Sequence, residues 1–314
     1  MGVNLYLEIT NACIHQCITC PHGTGNPNKA HYFMPLDEMK ATIDDAILRR
    51  DITSVTISGG EPLMHPDIAR ILQMLSERFN AITILTNLHF FEEKNIASIV
   101  KPFSEKISFV TALHSATSTR HDMLTGFPGS FNRVISGLDS LFANNINTVI
   151  KVILCKDTCA ELLSIFQMCT ERWGHHPNFD LCGMDLCGAD YKTIKSIPID
   201  FTVEGKYIKA VLENAEAYYK GDLIRKVMIT EYPLCNIDPY FWRLAKRSVG
   251  DRLLTFVSKG EIDTRDSLKD ISHCYPCAQS CESCAVKTGC PGLWPSILTL
   301  YGESMLKPVH ASSK

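Results

Sequence analysis

The sequence has no apolar stretch long enough to cross a membrane, no strong charge bias and no secretion signal. Its longest apolar runs, such as residues 149–154, have the length of a strand, whereas a membrane-spanning helix needs roughly 20 residues. The chain carries 31 Lys and Arg against 34 Asp and Glu, and this near balance excludes a polybasic nucleic-acid tail. With 45% hydrophobic residues the chain is not disordered either, so we expect a globular protein.

Cysteine, in contrast, is abundant, with 14 residues. A chain of 314 residues forms a core without disulfides, so we expect reduced thiols. One group near the start comprises Cys13, Cys17 and Cys20, and one near the end comprises Cys274, Cys277, Cys281, Cys284 and Cys290. The other six cysteines are dispersed along the chain, and we expect each to be a small buried side chain. They are Cys155, Cys159, Cys169, Cys182, Cys187 and Cys235.

Short β-branched runs alternate with amphipathic segments between residues 3 and 184. Strands are predicted at residues 5–9, 54–57, 82–85, 107–113, 148–154 and 179–184. Helices are predicted between them at residues 36–49, 67–79, 131–144 and 160–173. Six βα units in series predict an α/β fold with a parallel sheet. Periodicity alone leaves open whether that sheet is flat or curled into a partial barrel.

The alternation stops near residue 190. A long helix is predicted at residues 201–219, then a short aromatic helix near residues 240–245 and a hairpin over residues 253–262. We therefore expect a domain over residues 1–195, a helical connector over 196–234 and a Cys-rich domain over 235–314.

The first cysteine group forms a C-x₃-C-x₂-C loop directly after the first predicted strand. Cys13, Cys17 and Cys20 can occupy three corners of a cubane iron–sulfur cluster and leave one iron open to a small molecule. A structural zinc site needs four ligands, and locally only His22 could supply the fourth. The remaining interpretation is three merely buried cysteines, and their shared spacing argues against it.

A turn with two glycines follows the second predicted strand and reads Ser58, Gly59, Gly60, Glu61 and Pro62. Glycines let the backbone approach a ligand closely, although such a turn alone is a weak signal. Ligands of parallel α/β folds bind at the carboxyl ends of the strands, where the cysteine loop also lies. We therefore expect the two loops to form one site.

Together the cysteine loop and the glycine turn resemble the radical S-adenosylmethionine (AdoMet) superfamily over residues 3–190. The resemblance implies a partial (β/α)₆ barrel in which Cys13, Cys17 and Cys20 hold a [4Fe-4S] cluster whose open iron chelates AdoMet. It also implies that the Ser58 to Pro62 turn binds the methionine part of AdoMet. Reductive cleavage then yields a 5′-deoxyadenosyl radical that abstracts a substrate hydrogen.

Two further segments are similar to the family's third and fourth strands. Residues 85–87 resemble its Thr-Asn-Gly element and place Asn87 among the cofactor-binding residues, although Leu88 replaces the glycine. Residues 112–115 resemble the fourth-strand region of the peptide-modifying branch. No catalytic side chain is assigned, and His114 is interpreted as a structural residue.

The C-terminal cysteines follow the pattern C-x₂-C-x₃-C-x₂-C-x₅-C. Zinc ribbons separate their pairs by a longer arm, so iron–sulfur ligation is favoured over zinc. Residues 281–290 resemble part of the SPASM extension of radical AdoMet enzymes, with Trp294 where a further cysteine is expected. The candidate ligands suffice for one auxiliary cluster, whereas two would need a non-cysteine ligand or an open iron; they are Cys235, Cys274, Cys277, Cys281, Cys284 and Cys290.

The resemblance favours a ribosomally synthesised peptide as substrate, with a crosslink, an epimerisation or an oxidation as the outcome. The alternatives are an enzyme acting on a small molecule, such as an aminoglycoside or a cofactor precursor, and a non-catalytic electron carrier. A reductant protein such as flavodoxin or ferredoxin is expected. Because the chain begins at its first strand, we also expect any leader peptide to be bound either by a separate protein or by the barrel and the C-terminal region themselves. Neither nucleic acid nor membrane is expected as a partner, and oxygen-sensitive clusters predict a cytoplasmic enzyme.

Overall fold

The computed structural model describes residues 2–20, 31–185, 199–246 and 278–310, together with the backbone course of residues 252–258 and 261–266. Four residues named above, His22, Cys187, Cys274 and Cys277, lie outside the described residues. The expectations for these residues therefore stay predictions.

A sheet of ten strands forms the centre of the protein. The strands are β1 Val3–Glu8, β2 Ile52–Ser58, β3 Ile82–Leu85, β4 Ile107–Ala112, β5 Asn147–Leu154, β6 Asn178–Gly183, β7 Val227–Thr230, β8 Ala245–Lys246, β9 Arg252–Ser258 and β10 Glu261–Asp266. Their order across the sheet is β10-β9-β1-β2-β3-β4-β5-β6-β7-β8. Strands β1 to β8 run parallel and curl into a half-barrel, which confirms the partial-barrel α/β fold.

Helices follow the strands, as the repeated βα pattern predicts. They are α1 Leu36–Arg49, α2 Ile68–Arg78, α3 Ile96–Val100, α4 Ser118–Thr125, α5 Ser130–Ala143, α6 Lys156–Cys159, α7 Leu162–Trp173, α8 Phe201–Tyr219, α9 Leu223–Lys226 and α10 Pro295–Tyr301. Short 3₁₀ helices occur at Pro62–Met64, Lys101–Lys106, Lys220–Asp222, Leu234–Asn236, Pro239–Leu244 and Gln279–Cys281. Within the described residues, no helix combines the length and apolar character that a bilayer crossing requires.

The two faces of the sheet have different surroundings. Phe179 and Leu181 of β6 line an apolar gap together with Phe166 of α7 and Val211 of α8. Successive side chains of a strand point to opposite faces. Asp180 and Cys182 of β6 therefore lie on the other face, the inner face of the half-barrel.

The sheet extends beyond the six predicted strands. Strands β7 and β8 continue it in parallel after β6. The predicted hairpin over residues 253–262 is confirmed as the antiparallel pair β9 and β10, and β9 also pairs in parallel with β1. The C-terminal region is thus hydrogen-bonded to the strand that leads into the cysteine loop.

Candidate functional site

The cysteine loop follows β1, beside the carboxyl ends of β2 and β3, as expected. It carries three half-buried thiols, Cys13, Cys17 and Cys20. The backbone N–H of Gln16 donates to the carbonyl oxygen of Thr125 at 2.9 Å, and that of Ile18 donates to Leu124 at 3.0 Å. Helix α4, which the sequence pattern did not predict, therefore anchors the loop.

These three thiols fit a metal centre by their chemistry. Burial raises the pKa of Cys17, and the neighbouring Cys20 and Cys13 thiols raise it further, so the sulfurs are near one another. Sulfurs that are close together repel as thiolates unless a cation neutralises them. A metal group held by Cys13, Cys17 and Cys20 would supply that cation.

Gly59 and Gly60 pack directly against the cysteine loop. A Cβ on Gly59 would stand 2.0 Å from the carbonyl oxygen of Thr10, and one on Gly60 would stand 2.1 Å from that of Ala12. The N–H of Gly60 donates to Thr10 at 2.8 Å, and the N–H of Glu61 donates to Ala12 at 2.7 Å. Both positions therefore need glycine for the contact between the two loops, a reason that the sequence did not show.

The Glu61 carboxylate joins the glycine turn to the end of β3. Its Oε1 accepts the N–H of Leu63 at 2.8 Å and the hydroxyl of Thr86 at 2.6 Å. Its Oε2 accepts the N–H of Asn87 at 2.7 Å. Burial raises the pKa of Glu61 to about 7, although these hydrogen bonds favour the ionised form. The side chain thus holds two loops of the site in register.

Asn87, Ser58 and Pro62 complete the set of predicted cofactor-binding residues. The Nδ2 of Asn87 lies 3.8 Å from the Cys13 sulfur. The hydroxyl of Ser58 accepts a 2.8 Å hydrogen bond from Tyr6, and Pro62 begins a 3₁₀ helix. These residues line one edge of the sheet beside the cysteine loop, and their role in binding AdoMet stays a prediction.

Leu88 has a backbone conformation that favours glycine. Its φ is 59°, in the left-handed region, and its side chain is buried. It packs against Gly137 of α5, where a Cβ would stand 3.0 Å from the Leu88 Cβ. A leucine is accommodated here because α5 leaves space for it.

Four buried histidines lie beside the cysteine loop, and only His114 among them was predicted from the sequence to be a structural residue. The Nε2 of His15 is 3.2 Å from Nδ1 of His89, and the backbone N–H of His114 donates to Nδ1 of His121 at 3.2 Å. Burial lowers the pKa of His15 to about 4, of His114 to about 4 and of His121 to about 3. These imidazoles are therefore neutral at pH 7.

A second polar group, here called the lumen cluster, lies at β5 to β7 and consists of Lys151, Asp180, Cys182, Thr230 and Glu231. Asp180 lies 3.7 Å from the Lys151 ammonium and accepts a 2.7 Å hydrogen bond from Thr230. The Cys182 thiol donates to Glu231 at 3.4 Å. Burial lowers the pKa of Lys151, but Cys182, Asp180 and Glu231 outweigh it and raise the pKa, so Lys151 stays a cation.

The backbone around the lumen cluster is unusual. Glu231 has a left-handed φ of 57°, and a Cβ on Gly183 would stand 1.7 Å from its carbonyl oxygen. Buried charges and left-handed backbone at a non-glycine residue both cost free energy and concentrate at functional sites. The available sequence signal was a charged residue inside each of two apolar strands, Lys151 and Asp180.

Four C-terminal cysteines lie near one another in a third group. The N–H of Leu234 donates to the Cys290 sulfur at 3.4 Å, and the N–H of Lys307 donates to that of Cys235 at 3.4 Å. Burial raises the pKa of Cys235, and the nearby thiols of Cys290, Cys281 and Cys284 raise it further. Across the described ranges, no three His, Cys, Asp or Glu side chains converge as the ligands of a single ion do.

The sequence matches the model of the Radical SAM superfamily over residues 7–169, about half of the chain. The chain belongs to the Radical SAM superfamily. Membership implies a [4Fe-4S] cluster and AdoMet, and the three-thiol loop fits that cluster. The two cysteine groups, the glycine turn and the half-barrel all agree with this family.

Several characterised proteins are similar to this Radical SAM chain. The AdoMet-dependent heme synthase of Methanosarcina barkeri is 24% identical over 52% of this chain and 46% of its own length. The subtilosin biosynthesis protein AlbA of Bacillus subtilis is 26% identical over 42% of this chain and 28% of its own. A probable GTP 3',8-cyclase of Methanocaldococcus jannaschii is 27% identical over 70% of this chain and 68% of its own. The matches thus span less than half of the first two relatives.

Among solved structures, Streptococcus suis SuiB bound to S-adenosylmethionine has a similar fold. The TM-score is 0.65 at 15% identity, over 99% of this chain and 77% of SuiB. SuiB bound to its precursor peptide SuiA gives a TM-score of 0.63 at 16% identity, over 95% of this chain and 73% of SuiB. The likeness therefore extends beyond the half-barrel into the C-terminal region.

Proposed function

We propose that this Radical SAM protein is an enzyme that cleaves AdoMet reductively and modifies a ribosomally synthesised peptide. The observation that carries the chemistry is the three-thiol loop packed against Gly59 and Gly60, because three protein ligands leave one iron open. When bound, the [4Fe-4S] cluster supplies the electron that splits AdoMet into methionine and a 5′-deoxyadenosyl radical, which takes a substrate hydrogen. An electron carrier has no use for this arrangement.

The protein's own residues hold and shield that chemistry. Cys13, Cys17 and Cys20 hold the cluster, and the glycine turn, which is hydrogen-bonded to their loop, binds AdoMet beside it. The neutral, buried rings of His15 and His89 exclude water from the neighbourhood of the loop. The lumen cluster lies across the half-barrel, on β5 to β7, and provides polar contacts for the substrate.

Two likenesses support a peptide substrate. AlbA is named for the biosynthesis of a bacteriocin, and SuiB has been solved with its precursor peptide. The fold likeness to SuiB includes the C-terminal region as well as the half-barrel. A peptide requires a longer binding surface than a metabolite does, and the C-terminal region supplies it.

A small-molecule substrate is the second candidate. The likeness to the GTP 3',8-cyclase covers 70% of this chain, more than the match to AlbA does. That observation makes a nucleotide the first small molecule to test.

We further propose that Cys235, Cys281, Cys284 and Cys290 hold one auxiliary iron–sulfur cluster. Their thiols influence one another electrostatically, and backbone N–H groups donate to two of the sulfurs. Four protein ligands leave no open iron, which suits electron transfer rather than substrate binding. Cys274 and Cys277 remain candidate ligands of a second cluster.

AdoMet cleavage tests the proposed activity. We expect anaerobic protein reconstituted with iron and sulfide, then given dithionite and AdoMet, to form 5′-deoxyadenosine. Changing Cys13, Cys17 and Cys20 to Ala abolishes this product, whereas Cys169→Ala, a buried cysteine of α7, leaves it unchanged. Cys281→Ala lowers the iron content while cleavage survives. Intact clusters without 5′-deoxyadenosine would contradict the proposal.

The effect of candidate substrates on the rate of AdoMet cleavage distinguishes a peptide substrate from a small-molecule substrate. The probes are GTP and synthetic peptides encoded by short reading frames beside the gene. We expect a peptide to accelerate 5′-deoxyadenosine formation and to change mass, with flavodoxin or ferredoxin as reductant. Acceleration by GTP alone would favour the small-molecule function.

A further inference from the structure

We propose that Asn87 is a positioning residue that donates its side-chain N–H to the Cys13 thiolate and so raises the reduction potential of the cluster on that loop. The inference rests on the proposed function, since it needs the cluster to be present. In this inference, Asn87 interacts with Cys13, a ligand of the cluster, and not with AdoMet.

Three contacts fix the orientation of the Asn87 side chain. Its backbone N–H donates to Oε2 of Glu61 at 2.7 Å. Its Oδ1 accepts the backbone N–H of His89 at 2.9 Å. Because Oδ1 faces a donor, the other end of the amide is the NH₂ group. This Nδ2 lies 3.8 Å from the Cys13 sulfur, a long but feasible contact for an atom as large as sulfur.

The supports of Asn87 are rigid. The Glu61 carboxylate is fully buried and is also held by the Thr86 hydroxyl at 2.6 Å. That hydroxyl accepts the N–H of Leu88 at 3.0 Å, and Leu88 is held by its packing against Gly137. Asn87 therefore cannot leave Cys13 without breaking contacts on both sides of it.

The direction of the effect follows from charge. A cluster gains negative charge on reduction, and hydrogen bonds to its sulfurs stabilise the more negative state more strongly. Removing the donor therefore makes the cluster harder to reduce. Replacing it by a carboxylate adds repulsion and makes reduction harder still.

A second asparagine provides a matched control. Asn236 Nδ2 lies 3.5 Å from the Cys235 sulfur, in the C-terminal cysteine group. It has the same donor and acceptor chemistry as Asn87 but serves another set of thiols. Asn236→Asp should therefore leave the cluster at Cys13 unaffected.

The experiment is a redox titration of the reconstituted holoenzyme, followed by the EPR signal that changes on AdoMet addition. We expect Asn87→Leu to lower the ratio of reduced to oxidised cluster at a fixed potential about tenfold, which is about 59 mV for one electron. Asn87→Asp lowers it further, and Asn236→Asp does not change it. The iron bound per chain stays equal in all four proteins.

Other results would overturn the inference. An unchanged potential in both Asn87 variants, with weaker AdoMet binding, would make Asn87 a ligand of AdoMet instead. If these variants lose iron, the test is pulsed EPR on wild-type protein labelled with ¹⁵N-asparagine. A hydrogen bond from Asn87 to the Cys13 sulfur requires that the ¹⁵N nucleus of Asn87 couples to the AdoMet-responsive signal. Absence of that coupling overturns the inference alone, whereas a wild-type protein without an AdoMet-responsive signal overturns the proposed function as well.

Discussion

The indole Nε1 of Trp294 donates a 2.7 Å hydrogen bond to the carboxylate of Glu231. Trp294 precedes α10 in the Cys-rich C-terminal region, whereas Glu231 belongs to the lumen cluster. Trp294, which stands where the SPASM pattern has a cysteine, therefore links the Cys-rich C-terminal region to the inside of the half-barrel.

Removing this bond should loosen the C-terminal region locally. We expect Trp294→Phe to speed amide hydrogen exchange in α10 about tenfold, which corresponds to about 1.4 kcal/mol and is typical of a hydrogen bond to a carboxylate. The control is the same substitution in Glu231→Ala protein, which lacks the acceptor. An equal acceleration there would show that lost packing, not the bond to Glu231, is the cause.

The glycine turn should tolerate no side chain. Gly59→Ala and Gly60→Ala each place a Cβ near 2 Å from a carbonyl of the cysteine loop, so we expect the loop to shift and the protein to lose iron after reconstitution. Gly221→Ala, where no atom lies within 4 Å of the new Cβ, serves as the matched control. Iron and sulfide assays give the readout, and full iron content in the Gly60 variant would contradict the expectation.

The contribution of Glu204 to stability should fall as pH rises. The buried carboxylate of Glu204 accepts hydrogen bonds from Asp200 and Tyr232, yet burial raises its pKa to about 7 from 4.5. Between these values the folded state holds a proton that the unfolded state releases, so the Glu204 contribution to the unfolding free energy decreases by about 3 kcal/mol from below pH 4.5 to above pH 7. Buried neutral histidines, whose pKa values are lowered, act in the opposite direction below about pH 6.5; they are His15, His114 and His121.

We therefore expect Glu204→Gln to make the slope of unfolding free energy against pH, measured by urea unfolding between pH 5 and 8, more positive than in the wild type. Glu61, whose pKa burial also raises, keeps its own falling contribution in both proteins. The exposed Glu213→Gln is the control and keeps the wild-type slope. An unchanged slope in the Glu204 variant would refute the assignment.

Restoring the family's glycine at Leu88 should destabilise this protein. Glycine relieves roughly 1 kcal/mol of left-handed strain, but losing a buried leucine costs roughly 2–5 kcal/mol. We expect Leu88→Gly to lower the unfolding free energy by about 2 kcal/mol. Lys220→Gly, at an exposed residue with a φ of 51°, should instead raise it slightly. Denaturant titration of both variants checks the opposite signs.

The cysteine loop and the six strands of the repeat could be predicted because residue type and spacing carry those signals directly. Strands β7 and β8 could not, since four and two residues are too few to show a period. Helix α4 has no clear apolar face, because His121 and Thr125 are buried alongside Leu124. The sequence pattern therefore does not show where α4 begins and ends, although this helix anchors the cysteine loop.

The lumen cluster was missed for a related reason. In an open sheet, Lys151 and Asp180 would be the polar residues of strands with one solvated face. Only the curl of the sheet turns that face inward, and curl depends on packing between distant strands. The role of Glu61 was equally hidden, because its partners Thr86 and Asn87 come from another loop.

The pairing of β9 with β1 has a practical consequence. A chain shortened before residue 252 would leave β1 as an open edge, with unpaired backbone groups free to recruit a strand from another molecule. We expect such a fragment to aggregate even though every residue of the cysteine loop is present.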